Sequence, residues 1–286
     1  MNYLLFLQAF QDKYKGIQNT QMLFQYLREE LQYLILQILY TQMSYPIYFM
    51  GGTKLRLSYR INRFSEDIDL ALKEPDKSFP AQKWYDELMN GFSSKVTGFQ
   101  VHGKLNTNRN VIKTTLSFAQ ILFDTGLSPL KSQTIKIKIE LDTNPPTSAT
   151  YEKRTYRSLN GDYIVNTHDL GTTFAGKLAA VLFREYQKGR DYYDLQWYLQ
   201  QKTSVKMNFA YLNANALQQG KKEFKNEKEV LSAIAKNVKT LNPDLMRDDL
   251  ERFVVMSPDS FEQWLANYIP ETLELLKAYL SSHESR

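Results

Sequence analysis

Apolar residues recur at spacings of three and four between Thr20 and Met43, at Leu23, Leu27, Leu31, Leu34, Ile35 and Ile38. The pattern predicts an amphipathic helix with one buried stripe, ended by Pro46. Two short apolar runs follow, Ile47 to Met50 and Ile68 to Leu72, and read as strands separated by a Gly51-Gly52 turn and a short helix. Val111 to Phe123 and Thr134 to Leu141 also read as strands. In the second, Ile135, Ile137, Ile139 and Leu141 alternate with Lys136, Lys138 and Glu140, so one face is apolar and the other charged.

The segment Thr143 to Thr150, with Pro145-Pro146, is the clearest loop and the expected boundary between halves. Beyond it, Asp169 to Lys188, Tyr192 to Gln201, Ala210 to Leu217, Glu227 to Leu241 and Phe261 to Ser281 have helical composition or period, with Pro243 and Pro270 as breaks. The chain thus reads as α+β. N-terminal helices and an α/β core occupy residues 1–150, and a mainly helical domain occupies residues 151–286.

Composition narrows the chemistry. Hydrophobic residues at 43% and charged residues at 23% predict a chain that folds over most of its length. The 19 Tyr and 16 Phe are expected mainly in cores, since stacking on a nucleobase needs only one or two rings. A net charge of +5 suits a polyanionic ligand such as a nucleoside triphosphate or RNA. The absence of Cys excludes thiol nucleophiles, disulfides and Cys-based zinc sites. His102, His168 and His283 are far apart and read as loop or surface residues. The opening MNYLLFLQAF lacks the basic region and small-residue cleavage site of a signal peptide. The most apolar stretch, Leu31 to Tyr40, is too short to span a bilayer, so a cytoplasmic protein is expected, with a monomer as the default.

The chemistry concentrates in YFMGGTKLRLSYRINRFSEDIDLAL, residues 48–72. Asp67 and Asp69 are two apart on an expected strand, so both carboxylates leave the same face while Ile68 and Leu70 face the other way. Paired like charges are offset most naturally by a hard divalent cation, Mg²⁺ or Mn²⁺, which in phosphoryl and nucleotidyl transfer neutralises the triphosphate. Two merely solvated aspartates would give the same dipeptide spacing. Upstream, Gly51-Gly52-Thr53 follows the first strand, where glycines let backbone N–H groups approach a phosphate. An ordinary turn is the alternative. A glycine turn followed by a DxD strand resembles the constellation of polymerase-β-like nucleotidyltransferases. A third acid is expected on a neighbouring strand, and Glu140 is best placed, as second-metal ligand or general base; Asp142 and Asp124 are the alternatives.

In GTTFAGKLAAVLFREYQKGRDYYDL, residues 171–195, Lys177, Arg184 and Lys188 fall at i, i+7 and i+11, a spacing that predicts one cationic helical face able to meet a triphosphate. Asp191 and Asp194, at the start of the next helix, either serve catalysis or pair with Arg184 and Arg190.

Two blocks, GGTKLRL with RFSEDIDL and KLAAVLFR with KGRDYYDL, resemble the AbiEii/AbiGii nucleotidyltransferase toxins, which include the MenT toxins. The likeness runs from about Phe49 to Leu195. It implies a polymerase-β-like core with a mixed β-sheet and a helical C-terminal half that contributes to the active-site cleft. Mapped onto matching positions, it implies NTP and metal contacts for Ser65 and Asp67, Asp69 as second metal ligand, a triphosphate contact for Lys177 and a catalytic role for Asp191. Gly51, Gly52, Thr53 and Arg184 complete the expected nucleotide site. The sequence departs from the common Gly-Ser at Gly52-Thr53, which leaves the hydroxyl contact open between Thr53 and Ser65. The resemblance also implies NTP as substrate, an RNA acceptor such as the 3′ end of tRNA, and an antitoxin partner. Rival readings keep the fold with a small-molecule or protein acceptor, or make the chain a silent NTP- or partner-binding module. A metal-dependent nuclease fits less well, because Lys138-Ile139-Glu140 reverses the usual acid-then-lysine order.

Overall fold

The computed structural model describes residues 2–107, 110–201 and 205–284. They divide into two compact units. The first comprises residues 1–60, 64–145 and 152–167, and the second residues 61–63, 146–151 and 168–286.

The first unit is built on a seven-stranded sheet. Its strands are β1 (Ile47–Met50), β2 (Ile68–Leu72), β3 (Val101–Asn106), β4 (Val111–Phe118), β5 (Ile135–Asp142), β6 (Tyr151–Ser158) and β7 (Gly161–His168). Their order is β3-β4-β5-β2-β1-β7-β6. β2 is antiparallel to β1 and parallel to β5, while β5 is antiparallel to β4 and β1 parallel to β7, which makes the sheet mixed as expected. Alternation places Ile135, Ile137, Ile139 and Leu141 of β5 in the core with Ile68 and Leu70 of β2. The opposite face carries Lys136, Lys138 and Glu140.

Helices α1 (Tyr3–Lys13), α2 (Thr20–Thr41), α3 (Gly51–Tyr59), α4 (Ala81–Lys95) and the short α5 (Ile121–Asp124) complete this unit. α2 is the expected amphipathic helix, with Asn19 capping its first turn through Met22 N–H. It is buried nearly all round from Glu29 to Leu36, because ion pairs carry its charges inward. Glu29 meets Arg56 at 2.6 Å and Glu30 meets Lys13 at 2.6 Å. The run read as one strand from Val111 to Phe123 stops at Phe118, where Gln120 takes a positive φ of 65° and turns the chain into α5. β6 and β7 lie beyond the proline loop, in the stretch expected to be helical, and join the sheet through the Phe49–Thr167 pairing. Of the histidines read as loop or surface residues, His102 is exposed on β3. His168 is instead buried between the rings of Tyr151 and Tyr211. The side chain of His283 lies outside the described residues.

The second unit is helical: α6 (Leu170–Phe183), α7 (Gly189–Leu199), α8 (Phe209–Gln218), α9 (Glu227–Lys239), α10 (Pro243–Leu250) and α11 (Pro258–Glu284). α6 ends at Phe183 rather than at Lys188, so Arg184 is its extended C-cap and Lys188 the N-cap of α7. Pro243 starts α10, where a missing N–H costs nothing. Pro270 does not break the chain but sits inside α11. Among the described residues no helix is long and apolar enough to cross a membrane.

Candidate active site

In the first unit the end of β1, the start of β2 and the end of β5 share one edge of the sheet. Register puts Met50 opposite Asp69, Asp69 opposite Glu140 and Glu140 opposite Lys113, so one line of residues crosses four strands. Partners in register point to the same face, and adjacent strands lie about 4.8 Å apart. Asp69 and Glu140 are therefore neighbours on the charged face, whereas Asp67, expected on the same strand, lies just before β2 begins at Ile68. Asp142 lies one repeat further along, opposite Ala71, and accepts from Asn144 N–H; burial pushes its carboxyl up. Asp124 sits on α5 and accepts from the Tyr3 hydroxyl at 2.8 Å, away from this line.

The glycine turn is shaped around Asp69. Gly51 begins α3 with φ +77°, and a Cβ there would fall 2.1 Å from Asp69 Oδ2. Only glycine allows the carboxylate to lie against the backbone at this helix N-terminus, which Met50 leaves without a capping side chain. Gly52 and Thr53 are buried in the first turn. Thr53 donates its hydroxyl to the Asp67 carbonyl, which ties α3 to the segment leading into β2. Ser65, half-buried, is left as the hydroxyl at the surface. The loop carrying it is tied to α2 by Gln32, whose side-chain amide donates to the carbonyls of Ser65 and Glu66 at 3.0 and 2.9 Å. Replacing Gly51 by Ala is expected to displace Asp69 and strain the positive φ. The cost should be about 1–3 kcal/mol in a denaturant melt and about a hundredfold in turnover.

Among the described residues, no three His, Asp or Glu side chains are gathered ready to hold a metal. Glu140 shows why: its Oε1 accepts from Lys113 Nζ at 2.9 Å. Sequence reading did not single out Lys113. The hydrogen bond and charge of Glu140, followed by the charges of Asp67 and Asp69, hold its ammonium above the usual lysine range. The acid pair itself suits a divalent cation. Asp69 on β2 and Asp67 just before it are both half-buried, and the glycine cradle keeps Asp69 from being crowded.

The second unit gathers Lys177, Arg184, Asp191 and Asp194. Lys177 Nζ lies 3.0 Å from Asp191 and 2.8 Å from Asp194. Arg63, the first residue of the RFSEDIDL block, grips Asp194 with two hydrogen bonds of 2.6 Å. Both are almost completely buried, at 1% and 0% side-chain exposure. Arg184 Nε is 3.3 Å from Asp191 Oδ2. Burial alone would raise the Asp191 carboxyl, but Lys177 and Arg184 outweigh it and hold the group below the usual carboxylate range. Burial likewise opposes the Lys177 charge, and Asp194 and Asp191 restore it. The expected single cationic face of Lys177, Arg184 and Lys188 does not form, because the helix ends between the first two. Arg184 instead folds toward Asp191, and Arg190 pairs with Asp249 at 3.2 Å. Arg184, Tyr186, Lys188, Asp191 and Asn237 line a cavity of about 280 Å³ in this unit.

A family model described as nucleotidyl transferase AbiEii toxin, type IV toxin–antitoxin system, matches residues 37–267. A crystal structure of a candidate nucleotidyltransferase from Helicobacter pylori is similar in fold, with a TM-score of 0.56 at 16% identity, covering 91% of this chain and 96% of that one. A second Helicobacter pylori crystal structure gives a TM-score of 0.53 at 18% identity and covers 91% and 95%. No curated protein matches the sequence.

Proposed function

The chain belongs to the nucleotidyltransferase AbiEii toxin family of type IV toxin–antitoxin systems, and from that premise we propose that it transfers a nucleoside monophosphate from an NTP to an RNA acceptor, with the 3′ end of tRNA as the first candidate. The observation that carries the reading is Asp69 seated against Gly51, in register with Glu140 and two residues from Asp67. Asp67 and Asp69 would hold Mg²⁺ or Mn²⁺, with Glu140 as a further ligand or as the base for the acceptor. Such an ion neutralises the triphosphate and polarises its phosphoryl oxygens. The N-terminus of α3 at Gly51 and Gly52, with the Ser65 hydroxyl, is assigned to phosphate oxygens. The acceptor hydroxyl forms a bond to the α-phosphorus, the bond to the β-phosphate oxygen breaks, pyrophosphate leaves and the hydroxyl proton passes to a carboxylate.

In the second unit, Lys177 and Arg184 are cations of the kind that meets phosphate oxygens. Each ammonium has three N–H donors, and Asp191 and Asp194 account for two of those on Lys177. Asp191 thereby acts by aiming Lys177 and Arg184. The positive net charge of +5 favours a polyanionic acceptor over a neutral small molecule. Family membership also makes an antitoxin the natural protein partner. The test supplies purified protein with each labelled NTP and total RNA. Label is expected to enter RNA with one NTP preferred, and not with Asp67→Ala. If wild type and variant label RNA equally, or neither does, the assignment fails; mass spectrometry of the product separates RNA from protein or small-molecule acceptors.

A further inference from the structure

The line of residues across the sheet contains one cation among its acids. We propose that Lys113 is a built-in counter-ion of the acid cluster, which a divalent cation must displace from Glu140 before that carboxylate can join Asp67 and Asp69. The inference rests on the reading that Asp67 and Asp69 hold the cation.

Three observations carry it. Lys113 lies opposite Glu140, and Glu140 opposite Asp69, so the ammonium is on the same face and two strands from the acid pair. Its hydrogen bond to Glu140 is well formed, at 2.9 Å. The pair is open to solvent, with 55% of the lysine side chain and 32% of the glutamate side chain exposed. An exposed lysine pair is weak and rearranges on its flexible stem, so a cation of twice the charge can replace it. Between metal-binding events Lys113 reduces repulsion among the carboxylates. Once displaced, its ammonium stands beside a site that receives a polyphosphate.

The experiment titrates the full-length protein with Mn²⁺, without nucleotide, and follows free Mn²⁺ by electron paramagnetic resonance. Lys113→Met is expected to tighten Mn²⁺ binding by about tenfold, because the charge competing for Glu140 has gone. Lys113→Arg should restore wild-type affinity. The gain should vanish when Glu140→Gln is added, since the competition is for that carboxylate. Unchanged or weaker binding by Lys113→Met overturns the inference, as does a gain that survives Glu140→Gln. Asp67→Asn with Asp69→Asn should abolish binding in the same titration. If it does while Lys113→Met has no effect, the counter-ion role alone falls; if it does not, the metal assignment falls with it. Because Lys113 is exposed, a thermal melt should show the variant folded.

Discussion

Replacing Asp67 and Asp69 together by asparagine is expected to lower nucleotide transfer by about a thousandfold or more while the protein stays folded. Asparagine keeps the size and the hydrogen-bonding oxygen of each side chain but removes both charges that would hold the cation. An ion that stabilises charge on a transferring phosphoryl group contributes several kcal/mol, which corresponds to about three powers of ten in rate. Both side chains are half-buried at the sheet edge, and removing two neighbouring like charges relieves repulsion. The melting midpoint should therefore hold or rise. Steady-state transfer kinetics beside a thermal melt check the prediction, and activity within tenfold of wild type would remove the acid pair from the mechanism.

Asp194→Ala should do the reverse, acting first on stability. The carboxylate is completely buried and satisfies both Arg63 and Lys177, so its loss leaves two cations short of a partner inside the second unit. Breaking a buried pair from one side costs about 3–5 kcal/mol. Arg63→Met combined with Asp194→Leu should cost less than Asp194→Ala alone, since the guanidinium is no longer stranded. Urea unfolding of the single and double variants measures the difference. A loss below about 1 kcal/mol for Asp194→Ala would mean that solvent reaches the network.

β1 and β2 were legible in the sequence because a local apolar run needs no tertiary knowledge, and both fall where those runs place them, with Asp69 on β2 and Asp67 one residue before it. Register is different. That Glu140 lies opposite Asp69, or Lys113 opposite Glu140, depends on which strands pair, and no local pattern contains that. β6 escaped notice because it is an edge strand of mostly polar residues, in which Tyr156 alone is fully buried. β7 did carry a signal, with Tyr163, Val165 and Thr167 alternating, but the helical composition around it drew the eye. The break at Arg184 was hidden for another reason. Helical spacing continues through the sequence, while the chain turns where Arg184 reaches Asp191 on α7. Pro270 misled in the opposite sense, since a proline-bearing helix persists when its packing outweighs one missing hydrogen bond. The hydrogen bond from the Thr53 hydroxyl to the Asp67 carbonyl likewise depends on how α3 packs and has no local sequence signal.

On the proposed roles of Asp69 and Glu140, the ladder that aligns them with Met50 and Lys113 would also make catalysis a sensor of correct folding. Sliding β5 by one residue against β2 would send Glu140 to the oily side and bring Ile139 or Leu141 out in its place. A mis-threaded molecule of that kind could look native to circular dichroism yet be chemically inert. On that proposal, a nascent chain stays inactive until its strands have zipped in the right alignment.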